Sequence, residues 1–438
     1  MKSVSAASDF SAESKFMKWT FSLLLLTACT TTMTRPAESD LDRARRILAT
    51  TPLIDGHNDL PWAIRESKTA PRDVDAYDLR TKTAGHTDLA RLKEGMIGGQ
   101  FWSIYIPGEI KDSGFARVQM EQIDIARRIV EKYPDRLMWA FTASDMRRAH
   151  KEGKIGSVLG LEGGHAIENS LGTLRVYYDL GARYMTLTHN VTTAWADAAL
   201  DSAKHGGLTE FGKEVVREMN RLGMLVDLSH VSPGTMSDAL DVTEAPVIFS
   251  HSGARAVVDH KRNVPDSILR RVPANGGVVM VPFVTSFVSP EVAAHSHGEE
   301  TFTADLRKKI GTDTAAYREG VRAWRTAHPT PKASIAQVAD QIEYVRKLAG
   351  VDHVGIGGDF DGITDVVVGL EDVSKYPALF AELAHRGWSD DDLRKLAGEN
   401  ILRVMAQAEQ VAARLQKSRM PSTKTLAELD GPASKAAR

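Results

Sequence analysis

The stretch Thr51-Pro-Leu-Ile-Asp-Gly-His-Asn-Asp-Leu60 carries a short apolar run, Leu53 and Ile54, into His57 and Asp59. Successive side chains of a strand point to opposite faces, so residues two apart share one. His57 and Asp59 therefore point the same way at the end of a buried strand. Imidazole and carboxylate together suit a divalent metal such as zinc. Alone, the pair also fits a strand-ending turn capped by Asn58 and Asp59. The later apolar runs decide between the two.

Seven further runs read as strands, at 97–106, 155–162, 182–189, 224–230, 246–251, 277–283 and 354–359. They are nearly continuously apolar, as strands covered on both faces are. Helical patterns lie between them, for example 122–132, 171–180, 209–222 (stopped by Gly223) and 335–348. Eight strands alternating with helices predict a single-domain parallel (β/α)8 barrel of the TIM type. A doubly wound open sheet is the alternative. No Gly-rich dinucleotide fingerprint follows the first strand, which weighs against it.

The strand ends repeat the chemistry of the first. Glu162, His189, His230, His251 and Asp359 each close an apolar run. In a barrel the carboxyl ends face one mouth, where active sites sit. Three histidines and two carboxylates exceed one tetrahedral zinc site. A carboxylate can bridge two ions about 3.5–4 Å apart, as in two-metal hydrolases. Glu162, on a middle strand, is the expected bridge. Trp102, Tyr105 and Trp195 are candidates to line the mouth. The insertion 284–334 falls at the mouth between the seventh and eighth strands, as a lid or a dimer contact.

Composition bounds the partners. Lys plus Arg is 55 against 57 for Asp plus Glu, a net charge of -2, so no basic excess points to nucleic acid. The single cysteine, Cys29, excludes an intrachain disulfide framework. Lys15 and Lys18 precede Phe21-Ser-Leu-Leu-Leu-Leu-Thr-Ala-Cys29, a secretory signal whose Leu26-Thr-Ala-Cys29 resembles a bacterial lipobox. That reading makes 1–29 a signal peptide with Cys29 lipidated, and 30–40 a tether. It assigns 41–415 to the barrel and 416–438 to a flexible tail. With Thr30 after the cysteine, the expected location is the outer membrane, facing the periplasm. Met17 is also a plausible start.

Taken jointly, several blocks are similar to the membrane (renal) dipeptidase family, a branch of the amidohydrolase-like metal hydrolases. They are Asp55-Gly-His-Asn-Asp-Leu-Pro-Trp62, Gly160-Leu-Glu-Gly-Gly-His165, Thr186-Leu-Thr-His-Asn190 and Val226-Asp-Leu-Ser-His-Val-Ser232. Val247-Ile-Phe-Ser-His-Ser252, Lys261-Arg-Asn-Val-Pro265 and Gly355-Ile-Gly-Gly-Asp-Phe-Asp-Gly362 complete the set, over about 45–410. The resemblance implies a distorted barrel with two zinc ions. It puts His57, Asp59 and Glu162 on one, and Glu162, His230 and His251 on the other. It makes His189, Arg262 and Asp359 substrate-contacting residues.

The activity so implied is hydrolysis of a dipeptide amide by a metal-bridging hydroxide, with a D-residue allowed at the C-terminal position. Chemistry then suggests roles. His189 stabilises the developing oxyanion. Asp359 carries the water's proton to the leaving amine, with Asp361 as its alternative. The Arg262 fork matches a free C-terminal carboxylate. An N-acyl-amino-acid deacylase or lactonase would use the same site. A binding-only lipoprotein would be expected to lack a ligand, and none is missing. A noncovalent homodimer is the expected assembly.

Overall fold

The computed structural model describes residues 38–110 and 114–432, together with Glu13, Lys15 and Met17. Cys29, its signal segment and most of the tether lie outside the described residues.

The strands are β1 (Leu53–Asn58), β2 (Ile97–Ser103), β3 (Leu137–Trp139), β4 (Ile155–Glu162) and β5 (Ala182–Thr186). They continue as β6 (Leu225–Asp227), β7 (Ile248–Phe249), β8 (Val278–Val281) and β9 (Val354–Ile356). Every pairing is parallel, in the order β2-β1-β9-β8-β7-β6-β5-β4, and β4 pairs back to β2 to close the ring. This is an eight-stranded (β/α)8 barrel with helices between its strands. The expected eight strands are the ring. The ninth, β3, pairs only with the start of β4, Leu137 opposite Ile155. Three residues are too few to show a period, which is why it escapes a reading by pattern.

Both faces of the ring are covered. The helix Glu210–Leu222 shows how: Thr209 caps it by accepting from the Gly212 N–H, and Gly223, at φ 85°, ends it. Its buried residues Phe211, Val215, Val216, Met219 and Leu222 face the core.

The strands are shorter than the apolar runs. The regular strands end at Thr186, Asp227, Phe249 and Ile356, so His189, His230, His251 and Asp359 stand two or three residues beyond. His230 and Asp359 take left-handed backbone, φ 66° and 62°. Such a residue costs about 1–3 kcal/mol and persists only where its surroundings impose it. Here the turn swings each side chain over the mouth instead of continuing the strand.

The insertion forms a hairpin, Pro290–Ile310 against Thr314–Ala327, held by Phe302 on Trp324 (5.9 Å). Val292 alone is buried in the first helix and nothing in the second. Its base enters the mouth through Val284 and Phe287.

Residues 416–432, expected as flexible tail, lie along the body. A capped helix, Leu426–Asp430, packs Leu426 and Leu429 against the core. The buried Glu218 accepts from the Ser422 N–H at 3.3 Å, and Asp430 accepts from the Phe211 N–H at 3.0 Å. Charged partners of this kind leave no apolar period to read.

Candidate metal centre

Two buried carboxylates brace the mouth. Asp55 of β1 accepts from the Gly358 N–H (2.8 Å), the His57 N–H (3.2 Å) and the Tyr376 hydroxyl (2.6 Å). It ties β1 to the turn after β9, and the Asp359 N–H donates to the His57 carbonyl at 3.1 Å. Asp227 of β6 accepts from the hydroxyls of Thr186 and Ser250, both at 2.6 Å. That joins the ends of β5, β6 and β7. Backbones approach so closely here that a Cβ on Gly357 would lie 1.8 Å from the Ser250 carbonyl oxygen.

Each histidine is fixed through its outer nitrogen. The Ser250 hydroxyl donates to Asp227, so it accepts from His251 Nδ1 at 2.8 Å. His230 Nδ1 donates to Asn190 Oδ1 at 3.0 Å. Both Nε2 atoms then point inward as bare lone pairs, 2.9 Å apart. His57 Nδ1 meets the Tyr184 hydroxyl at 2.8 Å. Tyr184 reaches it because Gly160 has no side chain; a Cβ there would lie 2.0 Å from the ring.

Glu162 stands between these imidazoles. One carboxylate oxygen lies 3.0 Å from His230 Nε2, 3.5 Å from His251 Nε2 and 3.7 Å from His189 Nε2. The other lies 3.5 Å from His57 Nε2 and accepts from the Ser103 hydroxyl at 3.0 Å. His57 Nε2 is also 3.3 Å from Asp59 and 3.9 Å from Asp359.

These residues fit metal ions. Buried His57 Nε2 and Asp59 Oδ1 have no hydrogen-bond partner among the described residues. Such atoms are costly unless something binds them. Ligand atoms within 4.8 Å of one another form three groups: His57, Glu162 and His251; Glu162, His189 and His230; His57, Asp59 and Asp359. Glu162 and His57 are each shared by two groups. The donor set is imidazole and carboxylate, the ligands zinc accepts.

The electrostatics agree at His230 and His251, whereas at His57 burial is outweighed by Tyr184, Glu162 and Asp59, which hold the imidazole well above the ordinary range. Burial, then the Arg262 charge nearby, holds His230 well below the ordinary histidine range. Burial and His57 do the same to His251. Both are neutral, as ligands must be. Burial works against ionisation of Glu162, but His57 and His230 outweigh it and keep the carboxylate charged. Burial raises Asp359 well above its usual range, and Asp59 and Glu162 add to the shift against the opposing His57.

The open space over these groups is a cavity of about 570 Å³. His189 and Asp359 line it, and Tyr105 stacks 4.7 Å from His189. Arg262 lines it too, 2% exposed, its guanidinium 5.4 Å from the Phe287 ring. Its one side-chain hydrogen bond among the described residues is a 3.5 Å contact to Ser252. Burial pulls its pKa down to about 10. Asp359 and Glu162 act on it from beyond ion-pair distance, and a buried cation with no ion pair among the described residues is a ready carboxylate site.

The expected metal, substrate and catalytic residues therefore meet at one mouth, while Cys29 lies outside the described residues. Trp102 and Trp195 do not: they are 1% and 0% exposed and belong to the core. Asp361 is turned aside, accepting from the His86 N–H at 2.6 Å. Sequence reasoning missed Tyr184, Asn190, Ser250, Asp227 and Asp55 as supports, and Trp62, Leu200 and Phe287 as lining. For Asp55 and Asp227 a signal existed: each is an acid inside an otherwise apolar run.

A family description, membrane dipeptidase (peptidase family M19), matches residues 41–419. Among solved structures, the fold is similar to the probable dipeptidase PvdM from Pseudomonas aeruginosa, at 25% identity and TM-score 0.74. That match covers 85% of this chain and 99% of that one. A metallo peptidase from Rhodobacter sphaeroides, liganded with a phosphinate mimic of the dipeptide L-Ala-D-Ala, matches at 25% identity and TM-score 0.67, covering 82% and 99%. A metallo peptidase of family M19, dipeptidase AC, matches at 26% identity and TM-score 0.66, again covering 82% and 99%.

Proposed function

This chain belongs to the membrane dipeptidase family, peptidase family M19, and from that premise we propose that it is a binuclear zinc dipeptidase. The observation that carries the reading is the placement of Glu162 between two sets of inward-facing imidazoles, in a cavity that Arg262 also lines. His57, Asp59 and Glu162 would hold one ion, and Glu162, His230 and His251 the other. Bound zinc supplies a Lewis acid for the scissile carbonyl and lowers the pKa of water toward neutrality.

The chain's own residues do the rest. Arg262 grips the C-terminal carboxylate through its two-pronged donor face. That orients the amide and leaves longer chains without an anchor. His189 donates to the carbonyl oxygen as negative charge develops on it. Asp359, its proton affinity raised by burial, takes a proton from the attacking water and returns it to the departing amine. The dipeptide-mimic complex of the Rhodobacter sphaeroides relative supports extending the substrate class to a D-residue at the C-terminal position.

The test is metal analysis with a dipeptide panel that includes D-residues. Stoichiometric zinc and turnover are expected; a metal-loaded protein that cleaves no member would end the reading. Glu162→Gln is expected to lose activity by at least about 100-fold and to lose metal. Arg262→Met is expected to raise KM for dipeptides while zinc content holds. Equal wild-type turnover of C-terminally amidated dipeptides would count against the carboxylate role.

A second reading, an N-acyl-amino-acid deacylase or lactonase, uses the same metals and the same Arg262. Relative turnover of dipeptides and N-acyl amino acids separates the two. For location, we propose a lipid anchor at Cys29 and a periplasmic site at the outer membrane, motivated by the lipobox-like Leu26-Thr-Ala-Cys29. Failure of labelled palmitate to enter the expressed protein would dismiss it. With Cys29 so used, a dimer would be noncovalent; sedimentation equilibrium gives its mass directly.

A further inference from the structure

A second cavity, of about 770 Å³, opens beside the catalytic one. The two share Trp62, Asp361, Ile363 and Thr364 in their linings. Trp62 is the largest side chain in that common wall. It stands on the short helix Leu60–Arg65 that follows β1, half-buried, edge-on to Tyr105 at 4.8 Å. The second cavity continues over Ala63, Ala76, Tyr77 and Ala84, with Lys68 and Lys82 in its lining. Ala63, Ala76, Ala84 and Gly85 leave room behind the partition, and Glu66, Asp78 and His86 share the cavity lining with the two lysines.

Position around the ring says which part of a substrate faces this wall. In the closed order β2-β1-β9-β8-β7-β6-β5-β4, β7 lies four places from β2 and three from β1. Arg262, in the segment between β7 and β8, thus faces Trp62 and Tyr105 across the mouth. A dipeptide whose carboxylate is held at Arg262 turns its first residue toward Trp62. This rests on the dipeptidase reading.

We propose that Trp62 is a specificity-determining residue: its indole partitions the catalytic cavity from the second one and sets the upper size of the substrate's first side chain. The intact enzyme selects small first residues. Opening the partition joins the cavities and admits aromatic or long aliphatic ones. A misfit in an apolar pocket is worth about 10–200-fold in kcat/KM, which bounds the effect.

The experiment compares kcat/KM for Ala-Ala and Trp-Ala, with the second alanine as either L or D, on the zinc-loaded full chain. Wild type is expected to favour Ala first. Trp62→Ala is expected to raise the Trp-to-Ala ratio by about tenfold or more, and Trp62→Leu to fall between. Ala84→Trp, which fills only the second cavity, is expected to leave Ala-Ala turnover alone. Combined with Trp62→Ala it is expected to return the ratio toward wild type, an outcome mere loosening of the site would not produce. Should Trp62→Ala fold poorly, Trp62→Leu carries the comparison. A ratio unmoved in both variants at normal zinc content overturns the partition, as does a wild type that already takes Trp first as readily as Ala. Absence of wild-type turnover on every dipeptide would instead remove the dipeptidase reading, and this proposal with it.

Discussion

Tyr184, Asn190 and Ser250 touch no substrate in this scheme, yet each fixes the outer nitrogen of an inward-facing imidazole. Partners of this kind set the tautomer and aim the lone pair, and their loss typically costs about 10–100-fold in metal affinity. Asn190→Ala is therefore expected to weaken zinc by that range in a chelator competition titration; unchanged affinity would show that packing alone holds His230. The ligands were readable because each follows an apolar run, and only a barrel brings such positions together. Their supports were not. Asn190 beside His189 looks like any turn residue, and Tyr184 within β5 looks like core. Trp102 and Trp195 show the converse: an aromatic near a strand end is a candidate for lining and more often packing, and both are core. Trp62 lies in a stretch of mixed charges and prolines, where nothing in the pattern marks a cavity wall.

Among elements, the strand ends and the C-terminal segment depart most from expectation. An apolar run predicts burial, not hydrogen bonding, so β5, β6, β7 and β9 stop short of the ligands they present. The segment 416–432 docks through Glu218, which takes Arg221 at 2.8 Å, Arg175 at 3.0 Å and the Ser422 N–H. Burial opposes its ionisation, but the hydrogen bonds from Arg221 and Arg175 outweigh that and hold it below the usual 4.5. A carboxylate so depressed contributes stability that is complete above its unfolded value and lost as pH falls through the folded one. Acidification below about pH 4.5 is thus expected to loosen 416–432, seen as faster amide exchange there. Glu218→Gln is expected to loosen it already at neutral pH, at a cost of about 1–3 kcal/mol, and to flatten the acid response. Exchange unaffected by either change would assign the docking to Leu426 and Leu429 alone.

For the whole molecule, the metal centre is also a clasp. The candidate ligands on β1 and β4 and on the turns after β6 and β7 converge there, so ions that bound only the folded chain would stabilise the barrel as a unit. At free zinc 100-fold above Kd that linkage gives about 2.7 kcal/mol for one site. Zinc is expected to raise the melting temperature of wild type by several degrees and that of His57→Ala far less, by calorimetry. No helix among the described residues is long and apolar enough to cross a membrane. What the sequence determined by itself was local and periodic: apolar runs of strand length, helices between them, and a His, Asp or Glu at the end of six of the eight runs. Those follow from side-chain spacing and need no partner. Tertiary structure alone decided which carboxylate oxygen faces which imidazole, which aromatic walls the cavity and where the tail docks. Each of these depends on atoms far apart in the chain, brought within a few ångströms only when β4 closes on β2.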